Sequence, residues 1–183
     1  MKTTLLAIAL STAALSAQAA DLDYSTVQAT YKSVDFDGTN LDGFGINGSF
    51  KFNDNFYGIV AYDKVSKNSA DVSETAVGFG FRHAINDKAD WVNELSYVRN
   101  DIEGFSDNGY RIATGVRSMV SDKVELSGKV NYTDVADIGK GFGVNLGGVY
   151  HVNDSFGITV GYDYSDRDGF DYDSWNVGAR FSF

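Results

Sequence analysis

The chain has 183 residues, no cysteine, no proline, and 25 acidic against 15 basic side chains, for a net charge of −10. An acidic chain lacks the basic face that phosphate binding needs, which argues against nucleic acid as a partner. Without cysteine there are no disulfide cross-links, so an exported domain must be held by its own packing or by a membrane.

The N-terminus is unlike the remainder. Lys2 gives a short basic start, Leu5 to Leu15 is an apolar run broken only by Ser11 and Thr12, and Ala17-Gln18-Ala19 has the small-x-small form that signal peptidase reads. The run is too short to span a bilayer as a stable helix, so residues 1–19 read as a signal peptide cleaved after Ala19. That leaves 20–183 as one domain with 14 basic and 25 acidic residues and no Gly- or Ser-rich linker. No later segment approaches 18 consecutive apolar residues, so spanning helices are excluded. An exported chain of this kind is either a soluble β protein or a membrane barrel, the other spanning structure that satisfies every backbone group.

From residue 24 onward the sequence alternates with period two, the pattern of strands with unlike faces. Four polar breaks interrupt it: Asn53-Asp54-Asn55, Asn86-Asp87-Lys88, Ser121-Asp122-Lys123 and Asn153-Asp154-Ser155. Asx and Ser side chains bond nearby backbone amides, so these are tight turns. They recur every 33, 35 and 32 residues, enough for one up-and-down hairpin with a somewhat longer loop at its far end. Asn53-Asp54-Asn55-Phe56 also recurs as Asn153-Asp154-Ser155-Phe156, and Gly43-Phe44-Gly45-Ile46-Asn47 as Gly141-Phe142-Gly143-Val144-Asn145. The expected fold is all-β, an antiparallel up-and-down transmembrane barrel of ten strands near 24–34, 43–53, 56–65, 74–85, 91–99, 109–120, 124–133, 141–152, 156–165 and 174–183. Eight strands is the alternative, with the hairpin around Trp91 to Arg99 misread. Each segment has about the 9–11 residues that a tilted spanning strand needs.

One face of these strands collects Phe44, Ile46, Phe50, Val77, Phe79, Val144, Leu146, Tyr150, Ile158 and Val160. The other carries Lys51, Asp63, Glu74, Arg82, Glu94, Arg111, Arg117, Glu125, Lys129, Asp163 and Arg180, interleaved with small residues such as Gly78, Gly80 and Gly115. Periodicity alone does not say which face is inside: a lipocalin-like barrel puts the apolar face in, a membrane barrel puts it out. Aromatic residues favour lipid. Phe52, Phe56, Phe81, Trp91 and Phe156 fall near the short turns, and Tyr62, Tyr110, Tyr132, Tyr162 and Trp175 near the loops. These form two girdles a membrane thickness apart, as interfacial rings require. A charged face of mixed sign suits a self-neutralising lumen.

The sequence ends in Trp175-Asn176-Val177-Gly178-Ala179-Arg180-Phe181-Ser182-Phe183. Asn176, Gly178, Phe181 and Phe183 resemble the C-terminal β-signal of bacterial outer-membrane proteins. The chain as a whole is similar to small Gram-negative barrels of the OmpX, Ail and Opa type and to the small porins. The resemblance implies residence in the cell outer membrane, contact with its lipid and lipopolysaccharide, recognition by the barrel-assembly machinery, and a monomer. It also implies a role in envelope integrity, surface interaction or narrow-pore transport. The short loops depart from the adhesin pattern.

Barrel enzymes of this class usually place a histidine beside Ser, Asp or Glu near the outer rim. Here His83 and His151 both lie within three residues of a short turn, the expected periplasmic end, and read as interfacial structural residues. Gly43-x-Gly45-x-x-Gly48 matches a dinucleotide fingerprint by letters, but it lies within a strand with no following helix to hold a phosphate. No cofactor is expected. Acids at Asp35, Asp37, Asp42, Asp101, Glu103, Asp107, Asp166, Asp168, Asp171 and Asp173 make a solvated outer rim, and neither Gly38 nor Gly169 is placed for a calcium loop. A barrel of this size has an interior that side chains largely fill. Paired charges there avoid the cost of isolated buried ones. The expected role is therefore a non-enzymatic envelope barrel with a salt-bridged lumen, the alternative being a low-conductance porin.

Overall fold

In the computed structural model, residues 22–36, 38–67, 70–168 and 170–183 are described. The expected signal peptide, and with it Asp37 and Gly169, lie outside them. Ten strands follow one another as β1 (Thr26–Phe36), β2 (Thr39–Lys51), β3 (Phe56–Lys67), β4 (Ala70–Asn86), β5 (Ala89–Ile102), β6 (Phe105–Ser121), β7 (Val124–Val135), β8 (Gly139–His151), β9 (Phe156–Arg167) and β10 (Phe170–Ser182). Each pairs antiparallel with its sequence neighbours, and β1 with β10, from Thr26 opposite Ser182 to Phe36 opposite Tyr172, so the meander closes into a barrel without a free edge. Closure satisfies every backbone group along the wall and removes the edge-strand hazard. The ten-strand count holds, and the Trp91–Arg99 segment is a full strand.

Turn chemistry fixes where strands reverse. The Asn53 carboxamide oxygen accepts from the backbone N–H of Asn55 (2.9 Å) and Phe56 (3.0 Å). Asn153 repeats this on Ser155 (3.0 Å) and Phe156 (2.9 Å). Asn86 accepts from Lys88 N–H at 2.8 Å, and Ser121 from Lys123 N–H at 3.4 Å. The internal repeat read in the sequence is thus one device used at all four polar breaks.

At the opposite end the strands run further than expected, and the longer loops do not form. β5 and β6 are joined by Glu103 and Gly104 alone, both at positive φ, and β7 and β8 by a single 3-10 turn, Ala136–Ile138. Asp35, Asp42, Asp101, Asp107, Asp166, Asp171 and Asp173, expected in loops, lie within paired strand ends. Backbone pairing continues past the lipid wherever two strands already run side by side. Carboxylates that face outward there remain in water and do not oppose it.

Alternation then sets the two faces. Phe44, Ile46, Phe50, Val77, Phe79, Val130, Ile158, Val160 and Val177 are exposed on the outer surface, while Thr30, Glu125, Thr133, Thr159 and Ser174 are buried inside. This is the inside-out arrangement, with the apolar face turned to the surroundings.

Candidate functional site: the lumen

The inner wall is a ladder of ion pairs. Arg111 Nη2 donates to both Glu74 oxygens at 2.8 Å, and Arg167 stands 4.0 Å from the same carboxylate. Lys129 Nζ meets Glu94 at 2.8 Å, and the Tyr57 hydroxyl donates to the other oxygen of Glu94 at 2.9 Å. Lys32 Nζ lies 3.1 Å from Asp63, while Asp163 accepts from Asn145 at 2.7 Å and from Ser174 at 3.2 Å. Nearer the short turns, Glu125, its side chain only 3% exposed, is held by Arg117 at 2.9 Å and Arg180 at 3.0 Å. Long side chains fit because the facing inner positions are small. A Cβ on Gly80 would overlap the Tyr57 ring, and one on Gly45 would overlap the Asp63 carboxylate.

These groups surround a cavity of about 750 Å³ that runs from Phe36, Ile102 and Tyr172 at the loop ends to Tyr57, Arg117, Glu125 and Arg180. Toward the short turns a packed cluster adjoins this cavity. Residues 22–24, which precede β1, fold across the mouth at the short-turn end. Leu22 and Tyr24 pack with Tyr57, Val92 and Met119, and Tyr24 is 2% exposed. The Tyr24 hydroxyl donates to Asp90 at 2.8 Å, and its ring packs at a tilt against that of Tyr57, the centres 4.7 Å apart. The guanidinium carbons of Arg117 and Arg82 stand 4.3 and 5.0 Å from the Tyr24 ring centre. Arg117 also donates to the Asp23 carbonyl at 3.0 Å, and Arg82 to Asp90 at 3.1 Å. Cations on ring faces are attracted most strongly where water is excluded, as here.

Of the eleven expected lumen charges, Asp63, Glu74, Arg82, Glu94, Arg111, Arg117, Glu125, Lys129, Asp163 and Arg180 take part in the inner network just described. Lys51 does not. Its side chain is 41% exposed at the rim and pairs with Asp54 of the adjoining turn at 3.0 Å. That hydrogen-bonded ammonium holds the Asp54 carboxyl below its usual pKa. Lys51 has inward parity, but β2 ends there, beyond the enclosed part of the lumen. Three inner charges escaped the sequence reading. Lys32 shares its parity with the inward Thr30, whereas Asp90 and Arg167 lie just outside the strand limits expected for β5 and β9. The histidines separate: His83 is exposed on the outer face, while His151 turns inward, its Nε2 3.7 Å from Glu125. The Gly43–Gly48 motif lies in β2 and meets no helix.

On the outside, the expected girdle residues form ring contacts. Phe56 and Phe81 lie 5.2 Å apart near the short turns. Toward the loops, Tyr110, Tyr132 and Phe142 form a chain at 6.4 and 5.2 Å, and Tyr162 meets Trp175 at 4.7 Å. Trp91 Nε1 donates to Thr114 at 2.8 Å. On β3, β9 and β10 the two rows stand six residues apart, about 20 Å along a strand. Along β2 and β8 and the residue just past each, the exposed apolar row is longer, from Phe44 to Phe52 and from Phe142 to Val152, the scale of the roughly 25 Å band of outer-membrane barrels. Asn176 and Gly178 face inward on β10 opposite Lys32 and Thr30, Phe181 and Phe183 stack outside at 6.3 Å, and the Phe183 N–H donates to Ser25 at 3.0 Å.

A closed antiparallel barrel with an apolar, ring-edged exterior and an ion-paired interior is an integral membrane β-barrel. The chain belongs to the outer membrane protein beta-barrel domain family, whose pattern matches residues 3–183, and that family places it in the outer membrane. No curated protein matches it in sequence. Among solved structures it is similar to the KdgM porin in complex with disordered oligogalacturonate (12% identity, TM-score 0.50, 86% of this chain and 99% of that one). The NanC porin (12%, TM-score 0.49, 87% and 100%) and the attachment invasion locus protein Ail of Yersinia pestis (18%, TM-score 0.41, 86% and 95%) also match. At these identities the likeness is one of fold.

Proposed function

We propose that this protein is a non-enzymatic barrel with a structural or surface-interaction role in the cell envelope, its lumen closed to solute flow. The packing of Leu22 and Tyr24 against Tyr57, Val92 and Met119 across the short-turn mouth carries this reading. Ion pairs between strands that are not neighbours, Arg111 of β6 with Glu74 of β4 and, from the far side of the barrel, Arg167 of β9 with the same carboxylate, brace the wall in the same sense. Neither histidine suits catalysis: His83 faces outward, and the carboxylate nearest His151 is already engaged by two arginines. The partners that fit are the lipid and lipopolysaccharide around the apolar belt and, during assembly, the barrel-assembly machinery acting on the strand that ends at Phe183. The protein would work as a monomer, after removal of residues 1–19.

A narrow porin is the second reading, favoured by the cavity of about 750 Å³ above the packed mouth. Planar-bilayer recording on the purified, refolded protein separates the two. The closed barrel gives no steady unitary steps at any holding potential; reproducible steps would replace it with the porin.

A further inference from the structure

We infer that residues 22–24 are a stopper, a movable segment that closes the periplasmic mouth of a pore otherwise built into the barrel. The inference rests on the closed-lumen reading and goes beyond it, because it names what does the closing.

The segment differs from the wall around it. Residues 22–24 belong to no strand and have no ladder of backbone hydrogen bonds; the pairing of β1 begins at Thr26. They are held by side-chain contacts instead. Leu22 and Tyr24 supply the buried apolar surface, Asp90 receives the Tyr24 hydroxyl, Arg117 donates to the Asp23 carbonyl, and two guanidinium groups flank one ring. Such a segment opens at far lower cost than a strand with two paired neighbours, since local opening follows the number of buried contacts and ladder bonds that are lost.

Its position makes it a closure. Tyr24 has the inward parity of Thr26, Gln28 and Thr30, so continuing the strand's alternation by one step drives a large ring into the lumen. The ring packs against Tyr57, and Tyr57 and Arg117, which flank it, both line the cavity above. Withdrawing Leu22 and Tyr24 joins that cavity to the mouth. What remains on the wall at that level includes charges already paired with one another, Glu125 with Arg117 and Arg180, and Arg82 with Asp90, and these keep their partners in the open state.

The test is bilayer recording of wild type beside a Leu22→Ala/Tyr24→Ala double variant, each shown by heat-modifiable gel migration to be folded. Wild type is expected to be silent and the double variant to show steady unitary steps. A folded double variant as silent as wild type overturns the stopper. If wild type conducts and the variant's steps are several-fold larger, the closed-lumen reading fails while the stopper stands as a constriction. Equal steps in both sink the two together. Should the double variant not fold, a Leu22→Cys variant of this cysteine-free chain answers the question after folding. Reaction with a bulky, charged methanethiosulfonate should switch conduction on, and a thiol reductant should switch it off. Complete modification, verified by mass, with no current overturns the inference.

Discussion

At the scale of single residues, the lumen asks one carboxylate to do most. Glu125 is nearly inaccessible and compensates two guanidinium groups, so its removal strands both. Breaking a buried pair by deleting one partner costs about 3–5 kcal/mol. Glu125→Gln should therefore lower the urea-unfolding free energy in lipid vesicles by an amount in that range, whereas Lys51→Ala, which breaks a solvent-exposed pair, should cost about 0–1 kcal/mol. Equal losses in the two variants would mean that the interior is as wet as the rim. These residues also show what the sequence discloses. Parity alone identified Glu125, Arg117 and Arg180 as inward, because all three fall inside the expected strand limits. Asp90 and Arg167 lie one or two positions past an expected strand limit, Asp90 against a polar turn and Arg167 among Ser165, Asp166 and Asp168, where composition does not extend the strand. Tyr24 is expected as the first residue of the strand near 24–34, but pairing begins at Thr26, because alternation does not say whether the end of a strand stays paired or folds into the mouth.

At the scale of elements, the turns were the most readable part of the chain and the loop-end boundaries the least. An Asx side chain that accepts two backbone N–H groups specifies a reversal locally, so Asn53 and Asn153 announce their turns without tertiary help. At the opposite ends one such bond is present, from the Gly38 N–H to the Asp35 carboxylate at 2.7 Å, but Asp35 is one acid among many there and does not stand out. Their aspartates read as loop by composition, yet pairing persists through them because the neighbouring strand is present, and that is information held by the barrel and not by the segment. The two Asn turns share no partner, so their contributions should add. With a net hydrogen bond worth about 1 kcal/mol, Asn53→Ala and Asn153→Ala should each destabilise the folded barrel by roughly 1–2 kcal/mol. The double variant should show the sum in equilibrium urea titrations. A double variant no worse than either single one would mean that the turns are dictated by the strands and not by their own residues.

At the scale of the whole molecule, the distribution of charge and apolar surface is what separates a membrane barrel from a soluble one with the same strand plan. The inner charges largely cancel, so the excess acid responsible for the net charge of −10 sits toward the ends, outside the apolar belt. That belt, not the core, is where the fold's hydrophobic surface is spent, and its midpoint is the most sensitive place to probe. Val160 is 57% exposed on β9, four residues from Phe156 at one girdle and two from Tyr162 at the other, beside the exposed Val177 of β10. If lipid surrounds this surface, Val160→Arg should cost about 2–4 kcal/mol in vesicles, as charged substitutions do near a bilayer midplane. Asp173→Arg, outward on β10 two residues beyond Trp175 and past the girdle, should cost no more than about 1 kcal/mol. A soluble barrel would show no such depth dependence, since surface substitutions in water stay within about 0.5 kcal/mol wherever they fall. The difference between the two variants, measured by reversible urea unfolding in the same vesicles, is therefore a direct reading of which face meets lipid. A difference near zero would turn the barrel inside out.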